Sequence, residues 1–559
     1  MKIGPQFLKD LNKALSLRQI SAGVAMLNQT EEAWSKLLPG DVHATELLIL
    51  IAQWIDAGYR DYHLLDSLLI RFSAKFRQKL TLEDYVRLRM VEGFRALSAD
   101  ELDKAIETFD FVLTAEQDMA EEQPMTLAHF WKGRAHRKKG EYEIALKEIV
   151  LAREESQKSS DDSVFTAVIQ VQESWLLFQK GLKKDALRLL SHAEAILKET
   201  DHYLARGNIE SARGRIVRRS GEYAKALDHF DRAIAIYSHG NSDHRNIARV
   251  LVNAAYVKRL LALQIRKKID VRGPKTSPKT NQDRPNQLAA NSSLTLRNRY
   301  QQLCDEAIQQ LRRAREIYTL HDDSRGLGTV IVNSGYLHLD SGDIDRAARE
   351  AKEAYRIGEE KNDQILMARA RVLQTATENA KIEEQLGEDI DLALYANHAM
   401  EFSEEALFLA QHTQNRRLLA AAYIARGMTA ANEFFQDWDL AKRCASEATD
   451  LIKAGENDHL LDELAALKSH IMHASGINDT LRGWSEGMVG DKTFQQITEE
   501  FAEIVIPKVW LREEKKISKV AESLSVSPKK VRRILRNVGW LEVSGPATAR
   551  RENPKTGNR

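Results

Sequence analysis

The stretch Gly214-Arg-Ile-Val-Arg-Arg-Ser-Gly221-Glu-Tyr223-Ala-Lys-Ala226-Leu-Asp-His-Phe230-Asp-Arg-Ala233 decides the fold. A helical segment carries a small residue at 214 and breaks at Gly221. A second segment then places Ala226, Phe230 and Ala233 on one helical face. Working outward, the small residue recurs at Gly93, Gly133, Ser174, Gly214 and Ala255, with spacings of 40, 41, 40 and 41. It returns at Gly335, Ala376 and Gly427, which are 80, 41 and 51 residues further on. Twelve residues after it stand Ala105, Ala145, Ala186, Ala226 and Ala347. Sixteen after stand Phe109, Ile149, Leu190, Phe230 and Ala351, and nineteen after stand Val112, Ala152, Ala193, Ala233 and Ala354. Two antiparallel helices approach closely only where both present small side chains. Gly within a helix costs about 1 kcal/mol against Ala, so its return at one register signals packing.

The rest of the chain agrees with helix. Pro is scarce, 10 in 559 residues, while Ala, Leu, Glu, Lys and Arg abound. The two cysteines, Cys304 and Cys444, form no disulfide framework. The apolar run Leu47 to Ile55 contains Gln53 and is far short of a membrane span. The N-terminus shows no basic-apolar-cleavage pattern, so a cytoplasmic location is expected and no membrane partner.

These residues resemble the tetratricopeptide repeat: Gly214, Gly221, Tyr223, Ala226, Phe230 and Ala233 follow its signature, and Gly133, Gly140, Tyr142, Ala145 and Ala152 nearly do. The usual period is about 34, so the period of about 40 implies longer helices or linkers. The expectation is an all-α, right-handed superhelical α-solenoid. Residues 1–84 read as helical pairs without a clean signature, 85–475 as the repeat array, and 476–492 as a Gly-rich linker. The Ala255 repeat is split, its second helix returning as Ala307, Leu311 and Ala314. The intervening 266–299 holds three prolines in a Lys/Asn/Gln/Ser-rich run and reads as a disordered insertion.

In repeats of this kind the residues one, four and five after the small position face the concave groove. Here these include Arg134, Arg137 and Lys138, then Trp175, Phe178 and Gln179, then Arg215, Arg218 and Arg219, then Tyr256 and Arg259. A stripe alternating guanidiniums and rings suits an acidic protein or peptide segment.

The last residues carry a different signal. Charge is uneven: from Leu511 to Arg559 there are 13 Lys/Arg against five Asp/Glu, a balance of +8, leaving −7 for the rest of a chain of net +1. Within it, Ile517 to Arg536 reads as a helix-turn-helix. Ala521 supplies the small residue at the helix crossing, and Val520, Leu524, Val526, Val531 and Leu535 lock the pair. Ser527 suits the N-cap and Pro528 the first helical position. The second helix has no acid and carries Lys529, Lys530, Arg532, Arg533, Arg536 and Asn537, a set suited to phosphates and base edges of double-stranded DNA.

Residues 493–541 resemble the Fis-type DNA-binding domain of NtrC-type activators, through Glu503 and Ile506, Val520-Ala521, Leu524, Val526-Ser527, Val531, Leu535 and Gly539. The turn glycine of that family is Ser525 here, and Pro507 is expected to start or kink a second helix. The resemblance implies a homodimer whose recognition helices enter successive major grooves about 34 Å apart. Residues 542–559 read as a disordered basic tail.

No phosphate loop, dinucleotide fingerprint, nucleophile elbow or metal-binding spacing occurs; His470 and His473 share a helix face without further ligands. No enzyme activity, cofactor or metal is expected. The sequence thus points to a DNA-binding transcriptional regulator with a partner-binding array. The alternative is a non-enzymatic scaffold whose terminal helices mediate dimerisation or partner contact.

Overall fold

The computed structural model describes residues 3–541 except 117–122, 159–162, 273–286, 388, 475–483, 485–486 and 488. The chain divides into two compact units, Met1–Lys468 and Ser469–Arg559. Among the described residues every regular element is a helix.

The first unit is a run of antiparallel helix pairs. Leu82–Ser98 pairs with Leu102–Glu116, Gln123–Lys139 with Tyr142–Lys158, Ser163–Gln179 with Lys183–Leu197, and Tyr203–Arg219 with Tyr223–Ser238. Helices of 15–17 residues set the long period. The register read from the sequence is the register of contact. A Cβ on Gly93, Gly133 or Gly214 would lie 2.6 Å from Phe109, 2.8 Å from Ile149 or 2.5 Å from Phe230, the residues sixteen further on. All fifteen residues at the twelve, sixteen and nineteen positions are at most 1% exposed.

The split repeat is one long pair. Arg245–Arg272 packs against Gln287–Leu320, with Ala255, Ala307, Leu311 and Ala314 buried and Lys258 paired to Glu306 at 2.7 Å. The insertion expected to be disordered from 266 to 299 is instead helical over 266–272 and 287–299. Its flanks are helical because each extends an amphipathic helix already packed at Ala255 and Ala307; residues 273–286 lie outside the described residues. The array continues through Ser324–Asp340 with Ile344–Glu360, Gln364–Glu383 with Asp389–Gln411, and Arg416–Ala430 with Trp438–Leu451. Side-chain caps start these later helices: Asp323, Asp343, Asp363, Asn415 and Asp437 each accept a backbone N–H three residues on. The phase slips at Ala376, which is only half-buried between fully buried Thr375 and Thr377.

Successive turns also touch repeats far along the chain. The Gln414 N–H donates to the Gly140 carbonyl at 3.0 Å, Arg416 Nε to the Gln179 carbonyl at 2.9 Å, and the Asn457 N–H to the Arg219 carbonyl at 2.8 Å. The superhelix thus turns back on itself, and its concave face lines an interior.

The second unit holds three described helices, each of at least 7 residues, that share a core. Phe494–Arg512 is capped by a Thr493–Gln496 capping box, and Ile517–Ser523 and Pro528–Asn537 pack against it. Pro507 does not start a second helix. It sits buried within one continuous helix, where its missing N–H forfeits a single bond while its ring joins the apolar face around Ala502, Ile506 and Val509. Residues 542–559 lie outside the described residues, as does most of the Gly-rich segment.

Candidate functional site

The concave side chains of the first unit form stacks of guanidinium on ring. Trp175 lies between Arg137, 5.3 Å from its centroid, and Arg215, at 5.6 Å. Arg218 stacks on Tyr256 at 4.9 Å, Arg219 on Phe178 at 4.0 Å, and Arg259 on Tyr336 at 4.6 Å. Trp175, Arg215, Arg218, Arg219, Tyr256 and Arg259 line one cavity of about 400 Å³. Arg134 and Arg137 line a second of about 290 Å³. Lys138 lines neither: its ammonium is 2.5 Å from Asp100 and donates to the Leu97 carbonyl.

Charge pairing sorts these residues further. Arg134 is held by Asp56 at 2.6 Å, Arg259 by Asp340 at 2.5 Å, and Arg219 faces Glu456 at 3.7 Å. Arg218 has only the Asn253 amide oxygen, at 3.0 Å. Among the described residues, Arg137, Arg215 and Arg369 have neither hydrogen bond nor ion pair, and Arg369 lines the larger cavity. Burial, with Arg249 and Arg134 nearby, pushes Arg137 down to about 9. Burial and the guanidiniums of Arg249, Arg218 and Arg137 lower Arg215 well below the usual arginine range. On Arg259 burial acts the same way, but Asp340 overrides it and raises the group. A guanidinium does not give up its proton in a protein, so the depressed groups mark charge that an incoming anion would stabilise. Glu463 is the cavity's own carboxylate: burial works against its charge, but the bond from His459 and nearby arginines keep it lowered.

Among the lining residues that escaped the sequence reading are Tyr336, Arg369 and Arg417. Tyr336 stands one after Gly335 and obeys the register that found the others, which stopped one repeat too early. Arg369 and Arg417 arrive from distant pairs through closure of the superhelix, and no local spacing signals them.

In the second unit the turn geometry matches the reading of its residues. Ser527 Oγ accepts the Lys530 N–H at 3.2 Å, Pro528 begins the helix, and Ala521 is buried at the crossing. Ser525 takes the left-handed conformation, φ +50, that a turn glycine would occupy. Ile534, passed over as a core residue, is fully buried with Val531 and Leu535, while Val538 is half-buried. Arg533 is paired to Glu499 at 2.7 Å, and Asn537 donates to Glu503 at 3.4 Å, so both lean on Phe494–Arg512. Lys529, Arg532 and Arg536 are exposed and Lys530 half-buried; their side chains make no ion pair among the described residues. The outer side of Phe494–Arg512 carries exposed Phe494 and Phe501 with half-buried Ile497 and Ile504, an apolar stripe at three- and four-residue spacing that resumes at exposed Leu511 after Lys508.

No group of three His, Cys, Asp or Glu among the described residues could hold a metal ion, and no helix is long and apolar enough to cross a membrane. The fold is a tetratricopeptide-like α-solenoid followed by a small three-helix unit. No family model and no curated protein matches the chain. Solved structures similar to its coordinates include a Rap protein complexed with competence and sporulation factor, 11% identical, covering 73% of this chain and 100% of that one, TM-score 0.43. The apo form of the quorum sensor NprR from B. thuringiensis is 14% identical and covers 80% and 98%, TM-score 0.37. The human IFIT1 dimer with m7Gppp-AAAA is 11% identical and covers 84% and 94%, TM-score 0.45.

Proposed function

We propose that this chain is a cytoplasmic, non-enzymatic DNA-binding transcriptional regulator. Its array receives an acidic peptide or protein segment in the interior around Trp175 and Tyr256, and its terminal helices bind double-stranded DNA as a homodimer. The observation that supports the peptide reading is the set of cavity-lining guanidiniums without carboxylate partners, foremost Arg215, stacked on Trp175, and Arg369. Buried cations left unpaired in the free protein are most readily explained by an anionic occupant, and the rings offer it apolar surface. Fluorescence anisotropy with a labelled Glu/Asp-rich peptide tests this. R215E/R218E should abolish binding by the full chain; unchanged affinity would sink the reading.

The DNA reading is supported by an acid-free helix whose Lys529, Lys530, Arg532 and Arg536 are left unpaired. The apolar stripe at Phe494, Phe501 and Leu511 supports the homodimer. That stripe also favours a second reading, a scaffold that dimerises through its last helices without touching DNA. A gel shift with random duplex at two salt concentrations separates the two. Retardation that weakens with salt supports the regulator, and none at low salt leaves the scaffold.

A further inference from the structure

The cavity of about 290 Å³ on the far side of Trp175 has a character of its own. Several of its cations are already neutralised: Arg134 by Asp56 at 2.6 Å, Arg60 by Glu31 at 2.8 Å, and His321 lies 3.3 Å from Asp61. Three guanidiniums are not. Arg137 and Arg245 have no hydrogen bond or ion pair among the described residues, and Arg249 meets no carboxylate there: it donates to the Asn208 amide oxygen at 2.7 Å and bonds the Tyr237 hydroxyl. His202 and His244 also line it, and burial next to Arg18 and Arg245 pushes both imidazoles down to about 3. Apart from His321, which Asp61 raises and neutralises, positive charge in the chamber therefore comes from arginine. The His202 imidazole remains neutral, with its buried Nδ1 unpaired.

The chamber is also smaller than the cavity at Trp175, about 290 against about 400 Å³, and its walls are braced. Tyr203 Oη donates to the Gly58 carbonyl at 3.1 Å, the His321 ring reaches the Asp243 carbonyl at 2.8 Å, and Arg325 donates to the Lys138 carbonyl at 2.6 Å. The first of these bonds ties the N-terminal helices to Tyr203–Arg219, and the His321–Asp61 pair ties them to the split repeat. We infer that the chamber around Arg137, Arg245 and Arg249 is a second, separate anion site, which takes a compact multivalent oxyanion such as a phosphate or pyrophosphate group. Three converging guanidiniums and an unpaired imidazole nitrogen match the charge and acceptor count of such a group, whereas one carboxylate would satisfy a single fork. Arg137 both lines this chamber and stacks on Trp175, so an occupant here adjoins the wall of the larger cavity.

Titration calorimetry of the full chain with inorganic phosphate and with pyrophosphate, in chloride buffer of matched ionic strength, tests the site. One equivalent of pyrophosphate should bind, more tightly than phosphate. R245Q and R249Q should each weaken it at least tenfold, and R215Q, in the other cavity, should change it less than twofold. Arg245 makes no hydrogen bond or ion pair and acts on Asp61 and Asp100 through charge alone, so R245Q should lower Tm little, and R245K should recover part of the affinity. Three results would overturn the site: no binding at millimolar pyrophosphate, wild-type affinity in R245Q and R249Q, or equal loss in R215Q. The acidic-peptide reading is scored independently by R215E/R218E.

Discussion

At the scale of single residues, the array depends on close approach at its glycines. Gly214 is the clearest: an added Cβ would stand 2.5 Å from a ring carbon of Phe230, which is fully buried and has nowhere to turn. Ala is the better helix former by about 1 kcal/mol, so exposure alone would make Gly214→Ala stabilising. Overpacking a dense core costs about 1–3 kcal/mol, and at this separation its upper end applies. Gly214→Ala is expected to lower Tm by roughly 2–4 °C, by thermal denaturation. In a Phe230→Leu background the same substitution should lose most of its effect, and an equal drop there would show that the ring is not the cause. This packing was legible in the sequence because both partners recur at fixed spacing. The unpaired state of Arg215 and Arg369 was not, because a missing carboxylate is a fact about all neighbours at once.

At the scale of elements, the terminal helices carry two separable surfaces. The basic face of Pro528–Asn537 was legible by type but not by direction. Six side chains read as free outward groups, yet Arg533 and Asn537 are engaged by Glu499 and Glu503 one helix away. Replacing Lys529, Lys530, Arg532 and Arg536 with Ala should therefore remove DNA affinity. It should also flatten the dependence of log K on log salt by up to about 3.6 units per protomer, at about 0.9 for each phosphate that is no longer neutralised. Arg533→Ala alone should change that slope by much less, and an effect equal to Arg536→Ala would contradict the ion-pair assignment. Pro507 was misjudged for a related reason: the cost of proline in a helix is local, while the burial that offsets it depends on a helix packed from afar. The outer stripe of Phe494–Arg512 makes its own prediction. Phe501→Glu lies outside the core of Ala502, Ile506 and Val509, so it should leave helicity intact by circular dichroism. Light scattering should then show monomers where wild type gives dimers.

At the scale of the whole array, what the sequence could not show is closure. Period and register follow from neighbours within about forty residues, but the bonds that join turns at Gly140, Gln179 and Arg219 to Gln414, Arg416 and Asn457 span more than two hundred. The strongest of these junctions is electrostatic. Glu456 accepts from Arg416 at 2.5 Å and Arg417 at 2.9 Å and faces Arg219, while a Cβ on Gly221 would meet the Asn457 carbonyl at 2.7 Å. Burial works against the Glu456 charge, yet the three arginines bring its carboxyl from an ordinary 4.5 to about 2. A carboxyl lowered on folding contributes stability that is complete above its unfolded value and is lost as pH falls toward its folded one. The junction should therefore hold fully above pH 4.5 and loosen between 4.5 and 2, with an upper limit of roughly 3 kcal/mol. Glu148, held at about 2 by His129 and Lys132, titrates in the same window, and other lowered carboxyls such as Asp56, Asp100 and Glu463 add to it, so the acid slope of the wild type has several contributors. Glu456→Gln should remove only one of them. It should lower Tm at neutral pH, because buried arginines lose their carboxylate, and should flatten part of the slope below pH 4.5. Hydrogen exchange localises the effect: at neutral pH, Glu456→Gln should speed exchange of the Asn457 amide, which donates to the Arg219 carbonyl, while amides around Ala105 and Ala145 stay protected. Equal loss of protection at all of these amides would mean that Glu456 holds the fold of each repeat, not the closure of the superhelix.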